Sequence, residues 1–494
     1  MLSPLPVSRW TYDTAAHLLN RAAFGGSPAE IEKLYKLGPN AAVASLVDYD
    51  QIADTSPPPP DWAKPDPDLA EKQREYRKLP EEEKKKKMQE ERREQAQRLI
   101  SLRAWWLDRM ANGPRPLQEK MTLFWHGHFA TSVQKVKNTY LMYQQNETFR
   151  KHAVGSWRKM LVAVSQDPAM LVWLDNAKST RTQPNENYSR EVMELFSLGE
   201  GHYTEDDVRD GARAFTGWTL GPDRQTFMDR PAQHDSGDKK FLGITGPLTG
   251  EDVISRIVKQ PQAARFIAAR IWSFFAAQDP SEETVTALAK CLADNGMTFQ
   301  PFLKTMFLSE DFYSPAVVRQ QVKSPVQWLV GTVKMMETKL PEPPVITAIL
   351  NKLGQNLFAP PNVKGWDGGI AWISTNYLLN RYNMAGAIVE GNEVELQGQG
   401  KGSGGNVKRL LKRFGVEAGN IFKPAAVDGL FTRKELATRE SLFTALQKRF
   451  LQGELKPERA RALREYMNGM NELGPNEVRD SIRLLMSTPD YQVV

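Results

Sequence analysis

Apolar residues recur every three or four positions through most of the chain, which is the spacing of amphipathic helices. Start and stop signals divide this pattern into separate helices: Ser27 and Thr204 are typical N-caps, and Gly199 is a typical C-cap. Residues 218–250 break the rhythm with Gly, Pro and short β-like pieces such as Lys240-Phe-Leu-Gly-Ile. The pattern predicts an all-α fold, a large multi-helix array with Pro/Gly/Trp-rich loops and at most a small β-hairpin excursion.

Departures from the helical pattern suggest how the chain is organised. Residues 55–98 begin with a proline-rich stretch and continue as a run of mixed charge, which indicates an exposed insertion. We expect this insertion to lie within a main helical domain over residues 1–395. The glycine-rich residues 396–406 read as a loop or linker. Residues 407–494 are again helical in pattern, and we expect them to pack on the main domain.

Composition narrows the class of protein. The chain has 494 residues, 40% of them hydrophobic and 25% charged, which is typical of a soluble protein with a sizeable core. The single cysteine excludes an intramolecular disulfide and cysteine-rich metal sites. The net charge is +6, but no basic run is interleaved with aromatic residues, so nucleic acid is an unlikely partner.

Apolar runs and export signals in the sequence predict where the protein is located. No apolar run approaches the roughly 18–20 residues that span a bilayer, so we expect no membrane span. The first residues show neither a basic segment followed by an apolar one nor a twin-arginine pattern. We therefore expect a cytoplasmic protein, or one exported as the passenger of a partner.

The first segment with candidate chemistry contains His126 and His128, separated by Gly127. Side chains two positions apart point in different directions on a helix. We expect Gly127 to let the chain leave the helix, so that both imidazoles converge on a metal ion or on an acid–base site. The alternative is that one histidine forms a hydrogen bond inside a packed aromatic cluster.

A second segment, residues 185–194, is dense in polar residues at a predicted helix start. Asn185 and Asn187 suit N-terminal capping positions. Glu191 and Glu194 have the i,i+3 spacing of metal-binding carboxylates on a bundle helix. The alternatives are a buried polar network that joins helices, and a simple i,i+4 ion pair between Arg190 and Glu194.

Two loops complete the set of candidates. His234 and Asp235 form a dyad on a loop, where functional residues are common, although the same composition is common in turns. Trp366 and Trp372 lie in a Pro/Gly/Trp-rich segment whose aromatic faces suit the wall of a sugar or peptide site. The alternative is that both tryptophans fill the core beneath a loop.

Several of these segments, taken together and in order, resemble the bacterial family called domain of unknown function 1800. The similar stretches are His17-Leu-Leu-Asn-Arg-Ala-Ala-Phe-Gly25, Lys120-Met-Thr-Leu-Phe-Trp-His-Gly-His-Phe129, Asp167-Pro-Ala-Met-Leu171, Asn185-Glu-Asn-Tyr-Ser-Arg-Glu-Val-Met-Glu-Leu-Phe196, Arg213-Ala-Phe-Thr-Gly-Trp218, His234-Asp235 and Pro361-Asn-Val-Lys-Gly-Trp366. The resemblance covers nearly the whole chain, and residues 55–98 look like an insertion specific to this member.

The resemblance implies little chemistry, because the family is defined without a function. Its members are often encoded beside a second uncharacterised family that resembles sulfatases or phosphatases and carries a twin-arginine signal. The resemblance therefore implies a protein partner encoded nearby, with which this chain would either be exported already folded, as a passenger, or form a complex.

Two functions follow as hypotheses. The first is a metal-assisted hydrolase that acts on a carbohydrate or ester. The second is a non-catalytic binding or assembly partner of the exported sulfatase- or phosphatase-like neighbour. For the hydrolase, the predicted roles are metal ligation by His126, His128 and Glu194, catalysis by Tyr188, Arg190, Glu191, His234 and Asp235, and substrate binding by Asn185, Asn187, Trp218, Trp366 and Trp372. The predicted cofactor is a divalent metal.

Overall fold

A computed structural model describes residues 2–391, 426–427 and 429–494 of the chain. Within these ranges the protein has 22 α-helices and two small two-stranded sheets, so the predicted all-α class is confirmed. The predicted glycine-rich loop at 396–406 and the beginning of the segment at 407–494 lie outside the described residues.

The helices run in chain order through the described ranges. Those up to residue 214 are α1 Tyr12–Ala22, α2 Pro28–Lys36, α3 Gly38–Val47, α4 Leu69–Lys78, α5 Glu81–Asn112, α6 Pro116–His128, α7 Val133–Val136, α8 Thr139–Lys151, α9 Trp157–Ser165, α10 Pro168–Trp173, α11 Glu186–Glu194 and α12 Glu205–Ala214. The later ones are α13 Gly250–Val258, α14 Pro261–Phe275, α15 Glu282–Asp294, α16 Phe299–Phe307, α17 Pro325–Met335, α18 Pro343–Leu353, α19 Thr375–Glu390, α20 Arg439–Leu446, α21 Pro457–Asn468 and α22 Pro475–Met486.

The predicted β excursion is present between α12 and α13 as two antiparallel hairpins. In the first, β1 (Trp218–Leu220) pairs with β2 (Phe227–Asp229). In the second, β3 (Lys239–Phe241) pairs with β4 (Ile244–Gly246). Each strand has three residues, so the hairpins depend on packing against the helices, because an isolated two-stranded sheet is marginally stable in water.

Local capping explains why several helices start where they do. The side chain of Ser27 accepts a hydrogen bond from the Glu30 amide, and the Glu30 carboxylate accepts one from the Ser27 amide, which forms a capping box at α2. Thr204 and Asp207 form the same arrangement at α12. Asn185 caps α11 through the Asn187 amide. These caps satisfy amide groups that a helix leaves free at its N-terminus.

The buried apolar residues form two clusters. The first contains buried residues from Leu5 to Val317 and is built by α1–α3, α6 and α8–α16, together with the hairpins. The second joins α5, α8, α17, α18 and α19 to the C-terminal helices α20–α22. The C-terminal helices therefore share a core with earlier elements of the chain.

Helix α6 lies between the two clusters. Leu117, Met121 and Trp125 belong to the first cluster and Leu123 to the second. Every residue from Leu117 to His126 is buried, although the sequence of this helix is not uniformly apolar. Buried polar groups need hydrogen-bond partners, so the polar side chains of α6 must find them inside the protein.

Glu119 on α6 has the densest set of such partners. Its carboxylate accepts hydrogen bonds from Arg109 Nε (2.8 Å), Arg150 Nε (2.8 Å) and Trp106 Nε1 (2.9 Å). Burial alone would raise the pKa of this carboxyl, but Arg150 and then Arg109 lower it below its usual value. This buried ion network ties α6 to α5 and α8.

Residues 55–98, which the sequence predicts to be an insertion, consist of a proline-rich stretch followed by α4 and the exposed first turns of α5. The proline-rich stretch is held along α5, because Trp62 Nε1 donates to Ser101 Oγ (2.9 Å) and Trp105 Nε1 donates to the Pro57 carbonyl (3.1 Å). The proline-rich stretch is thus attached to the C-terminal part of α5, which contains the buried residues of this helix.

The C-terminal segment returns to the middle of the chain. The Val494 amide donates to the Gln321 carbonyl (2.8 Å), and the Gln321 amide donates to the Val494 carbonyl (3.2 Å). Lys323 places its Nζ 4.0 Å from the centre of the Tyr491 ring. Residues 491–494 therefore close the edge of the second cluster.

None of the helices in the described part of the chain is both long and apolar enough to cross a membrane.

Candidate functional site

A large cleft opens beside α6 and has a volume of about 850 Å³. Its walls are α6, the end of α14 with the residues that follow it, residues 315–327, and the loop over residues 355–372. We call it the α6 cleft. A cavity of this size suits a small-molecule ligand or part of a polymer.

Two of the segments singled out in the sequence meet at this cleft. Gly365 has φ +86°, and a Cβ there would lie 2.4 Å from the Gly127 carbonyl oxygen. Glycine is therefore required at residue 365, both for its left-handed backbone and for the close contact with α6. Next to it, the Trp366 ring lies 5.6 Å from the His126 ring. The Trp-rich loop is thus fixed against the His-x-His segment.

His126 is buried behind this loop. Its Nε2 accepts a hydrogen bond from the Phe358 amide (3.0 Å), and its ring also packs on Trp106 (5.2 Å). Burial, and then the charge of Arg103, lower the pKa of His126 to about 3. The imidazole is consequently neutral at physiological pH and anchors the loop that carries Phe358.

His128 lies in the wall of the cleft and faces a different partner. Its Nε2 is 2.9 Å from the Phe196 carbonyl oxygen, so this nitrogen carries the proton and donates. Its Nδ1 is buried and has no hydrogen-bond partner among the described residues. Burial and the charge of Arg270 lower the pKa of His128 to about 3. Its role is that of a neutral ring stacked on Phe124.

The expectation that Gly127 lets the chain leave the helix was wrong. Helix α6 continues to His128, so the two imidazoles point to different neighbours, as side chains at i and i+2 on a helix do. The close contact with Gly365 is made by the Gly127 carbonyl oxygen, and a Cβ at residue 127 itself would have no neighbour within 4 Å. The alternative interpretation, a histidine bonded within an aromatic cluster, describes both residues.

The three predicted metal ligands are not brought together. His126 and His128 have the partners given above, and Glu194 accepts a hydrogen bond from Tyr203 Oη (2.7 Å). Within the described residues no group of three or more His, Cys, Asp or Glu side chains could hold a metal ion.

The other predicted residues of α11 have structural partners. The Tyr188 hydroxyl is buried and donates to Ser165 Oγ, and burial raises its pKa. Arg190 forms a two-pronged pair with Glu205 (2.7 Å for both bonds) instead of the predicted pair with Glu194. Asn185 caps α11 and also donates to the Leu174 carbonyl (2.7 Å). Asn187 donates more weakly to the same carbonyl (3.4 Å).

Glu191 is the exception on α11. It is partly buried and has no hydrogen bond among the described residues, and its pKa is raised by burial and by the charge of Glu194. Arg190 and Lys364 act in the opposite direction. Since Lys364 lines the α6 cleft, Glu191 lies near its rim without lining it.

The His234-Asp235 loop forms a turn outside the cleft. Asp235 receives a bidentate pair from Arg213 (2.7 and 3.3 Å), which lowers the pKa of this carboxyl. His234 Nδ1 lies 3.0 Å from the Thr216 carbonyl oxygen and donates to it. Trp218 is buried against Phe215 (5.3 Å between ring centres). None of the three predicted residues lines the cleft.

Of the predicted residues, His128, Trp366 and Trp372 line the α6 cleft. Several glutamines also line it and were not predicted from the sequence. The Nε2 atom of Gln321 donates to the Phe274 carbonyl (2.8 Å), Nε2 of Gln327 donates to the Asn20 carbonyl (2.9 Å), and Oε1 of Gln355 accepts from the Val326 amide (3.0 Å). No local pattern identifies them, because their partners lie up to about 300 residues away.

Lys120 was missed as a site residue, although it stands inside the family motif. It is buried at a mid-helix position of α6 and lines the cleft. Its Nζ lies 5.0 Å from the centre of the Phe24 ring and 5.6 Å from that of Phe274. A lysine among the apolar residues Leu117, Met121 and Leu123 was a signal available in the sequence.

A second cavity, of about 660 Å³, lies between α4 and the first hairpin. Several basic side chains of the insertion and the hairpin line it, including Arg74, Arg77 and Arg224. It contains none of the residues predicted from the sequence, so the α6 cleft is the candidate site.

Comparison with known proteins identifies one family. The model of the family described as "Protein of unknown function (DUF1800)" matches residues 17–493. No curated protein and no solved structure matches the chain.

Proposed function

This chain belongs to the DUF1800 family, and we propose that it binds a neutral carbohydrate in the α6 cleft. The observation that supports this function most directly is the combination of two tryptophans with three anchored glutamines around one cavity.

Each anchored glutamine has one end of its amide bonded to the backbone, through Nε2 in Gln321 and Gln327 and through Oε1 in Gln355. The other ends, two Oε1 acceptors and one Nε2 donor, have no hydrogen bond among the described residues and are not sealed in the interior. Rigidly held amide groups with a free acceptor or donor suit the hydroxyl groups of a sugar, which both donate and accept.

Aromatic rings supply the second element of the site. Trp366 is half-buried, with one side packed on His126, and Trp372 is buried in the same wall. Phe124 and Phe274 line the cleft as well. Fixed aromatic faces stack on the apolar faces of sugar rings at low cost in side-chain entropy.

The charges of the cleft favour a neutral ligand. Lys120, Arg270 and Lys364 are the basic side chains that line it, and Asp279 and Asp367 are the acidic ones. This near balance differs from the strongly basic lining that phosphate or nucleic acid recognition uses.

We expect Trp366→Ala to weaken the binding of a neutral oligosaccharide at least tenfold, because a stacking surface is lost. The measurement is isothermal titration calorimetry with cellohexaose, xylohexaose and maltohexaose. Trp62→Ala, which removes a half-buried tryptophan of the insertion, is the matched control and should bind like the parent. If none of the three sugars binds at millimolar concentration, or if Trp366→Ala binds like the parent, the proposed function is wrong.

Hydrolysis of the bound carbohydrate is a second candidate function, and the two carboxylates of the cleft support it. Asp279 and Asp367 line the cleft from opposite elements, the turn after α14 and the Trp-rich loop. Most glycoside hydrolases need two carboxyl groups on either side of the scissile bond. This form of the reaction uses no metal.

If the protein hydrolyses a sugar it binds, Asp279→Asn and Asp367→Asn should each lower kcat by about 10²–10⁴-fold, which is the usual contribution of a general acid or base. Binding of the same sugar should stay within threefold of the parent. Release of reducing ends measures the rate, and Asp311→Asn, an exposed carboxylate outside the cleft, is the control. Turnover that survives both substitutions would remove this candidate.

A further inference from the structure

We propose that Lys120 is the reactive amine of the α6 cleft and forms an imine with a carbonyl group of the bound ligand, such as the aldehyde of an open-chain sugar. This inference rests on the carbohydrate site proposed above and adds a covalent step to it.

The other buried polar side chains of α6 have hydrogen-bond partners, and Lys120 has none. Glu119 has three cationic or indole donors, Thr122 donates to the Gln118 carbonyl (2.7 Å), and His126 accepts from a backbone amide. Among the described residues, Nζ of Lys120 makes no hydrogen bond and no ion pair, although the side chain is only 2% exposed. Nζ is not among the atoms sealed from solvent, so it reaches the cleft. An ammonium with so little solvent and no protein partner is costly, so an amine at this position calls for another explanation.

The surroundings of Lys120 disfavour its charged form. Its nitrogen faces the rings of Phe24 and Phe274. The charge of Arg21 also disfavours the ammonium, and Arg21 is itself fully buried and donates to the carbonyls of Ala276 (2.7 Å) and Val317 (2.6 Å). An apolar pocket beside a second cation is the arrangement that activates lysine nucleophiles.

The pKa of Lys120 agrees with these surroundings. Burial, and then the charge of Arg21, lower the pKa of Lys120 to about 7. About half of the amine is then neutral at pH 7, whereas a lysine with the ordinary pKa of about 10.4 is neutral in fewer than about one molecule in a thousand. The ring faces still provide some cation–π stabilisation when the proton is present.

The proposed step balances without any further reactant. The nitrogen lone pair of neutral Lys120 attacks the carbonyl carbon, so that a C–N bond forms and the C=O π bond breaks. The oxygen takes up the proton that the nitrogen releases, which gives a carbinolamine. Loss of that oxygen as water leaves the imine, so amine and carbonyl become imine and water. Addition of water reverses the step and releases the ligand unchanged.

Reductive trapping tests the inference on the full chain. The protein is incubated at pH 7 with glycolaldehyde and sodium cyanoborohydride, which converts an imine into a stable secondary amine, and modified lysines are quantified by peptide mass spectrometry. We expect Lys120 to be modified at least tenfold faster than Lys364, the exposed lysine of the same cleft. Lys120→Met should fold at least as well as the parent, since it removes a buried amine that has no hydrogen-bond partner. The rapid modification at residue 120 should be absent from this variant.

Lys323 provides a sharper comparison. It is also buried (7% exposed), and its pKa is likewise lowered to about 7, by burial and then by Arg381 and Arg319. Its nitrogen lies against Tyr491 beside a smaller cavity of about 260 Å³. Modification of Lys120 well above Lys323 would support a site built for a carbonyl ligand. Equal modification of the two, or none above Lys364, would overturn the inference.

Failure of this inference is distinguishable from failure of the proposed function, because glycolaldehyde has no sugar ring to stack on Trp366. If cellohexaose or another test sugar binds and Lys120 shows no selective trapping, the carbohydrate site stands and the imine is wrong. If Lys120 is trapped selectively and no oligosaccharide binds, the imine stands and the ligand is a small carbonyl compound instead of a sugar chain.

Discussion

Glu119→Gln should lower the free energy of unfolding by about 3–5 kcal/mol, which is the usual effect of removing one partner from a buried ion network. The side chain of Glu119 is 1% exposed, and the substitution leaves the guanidinium groups of Arg109 and Arg150 without their main counterion in the interior. Asp54 still pairs with Arg109 and Glu147 with Arg150, but both carboxylates lie nearer the surface. Denaturant unfolding measures this free energy. The dependence of the free energy on denaturant concentration should be compared with that of the parent.

Glu147→Gln is the matched control. It removes a carboxylate that pairs with the same Arg150 but is 42% exposed, so we expect a change of about 1 kcal/mol or less. A loss below 1 kcal/mol for Glu119→Gln would mean that α6 is not held in place by this network. The triple variant Glu119→Leu, Arg109→Met, Arg150→Met should recover part of the lost stability, because apolar residues can replace a buried ion cluster.

Acidification from pH 7.5 to pH 5 should destabilise the protein by about 2 kcal/mol for each of His126 and His128. Their pKa values are lowered to about 3 in the folded protein, by burial and then by Arg103 and Arg270 respectively. The unfolded chain has the ordinary value of about 6.5 and so binds protons that the folded chain does not. The stability is therefore complete above about pH 6.5 and is lost as pH falls toward 3. His17, also buried, acts in the same direction.

Chemical denaturation at several pH values measures this effect, and His126→Gln should flatten the curve between pH 7.5 and 5. His202→Gln, at an exposed histidine, is the control and should leave the slope unchanged. Asp167 opposes the trend, since burial raises its pKa to about 7 and its contribution falls as pH rises from about 4 to 7. Asp167→Asn should therefore steepen the acid loss. A parent stability that is flat between pH 7.5 and 5 would contradict neutral buried histidines.

Features that depend on neighbouring residues were predicted from the sequence. The caps at Ser27, Thr204 and Asn185 are where their side chains indicated, because a capping hydrogen bond spans only two or three residues. The break in the helical pattern over 218–250 also correctly indicated a β excursion. The family was identified from short motifs, and the match over residues 17–493 confirms it.

The site was harder to predict, because it depends on contacts between distant segments. The cleft forms where α6, α14 and the loop at 355–372 meet, and no periodic pattern encodes that meeting. A high density of polar residues was a misleading guide to the site. Arg190 pairs with Glu205 and Tyr188 with Ser165, and both pairs lie away from the cleft. Lys120 attracted no attention, since a single lysine in an amphipathic helix is normally exposed.

The division of the core into two clusters has a consequence for how the chain folds during its synthesis. All buried members of the first cluster precede residue 318, so that cluster can assemble as soon as those residues have left the ribosome. The second cluster cannot assemble at that stage. Leu102, Trp106 and Leu141 belong to it, but other members, as late in the chain as Tyr491, have not yet been synthesised. At roughly 5–20 residues per second, the remaining stretch takes roughly 10–35 s to appear. During that interval the second face of the nascent protein stays apolar and uncovered, which makes it a natural substrate for chaperones.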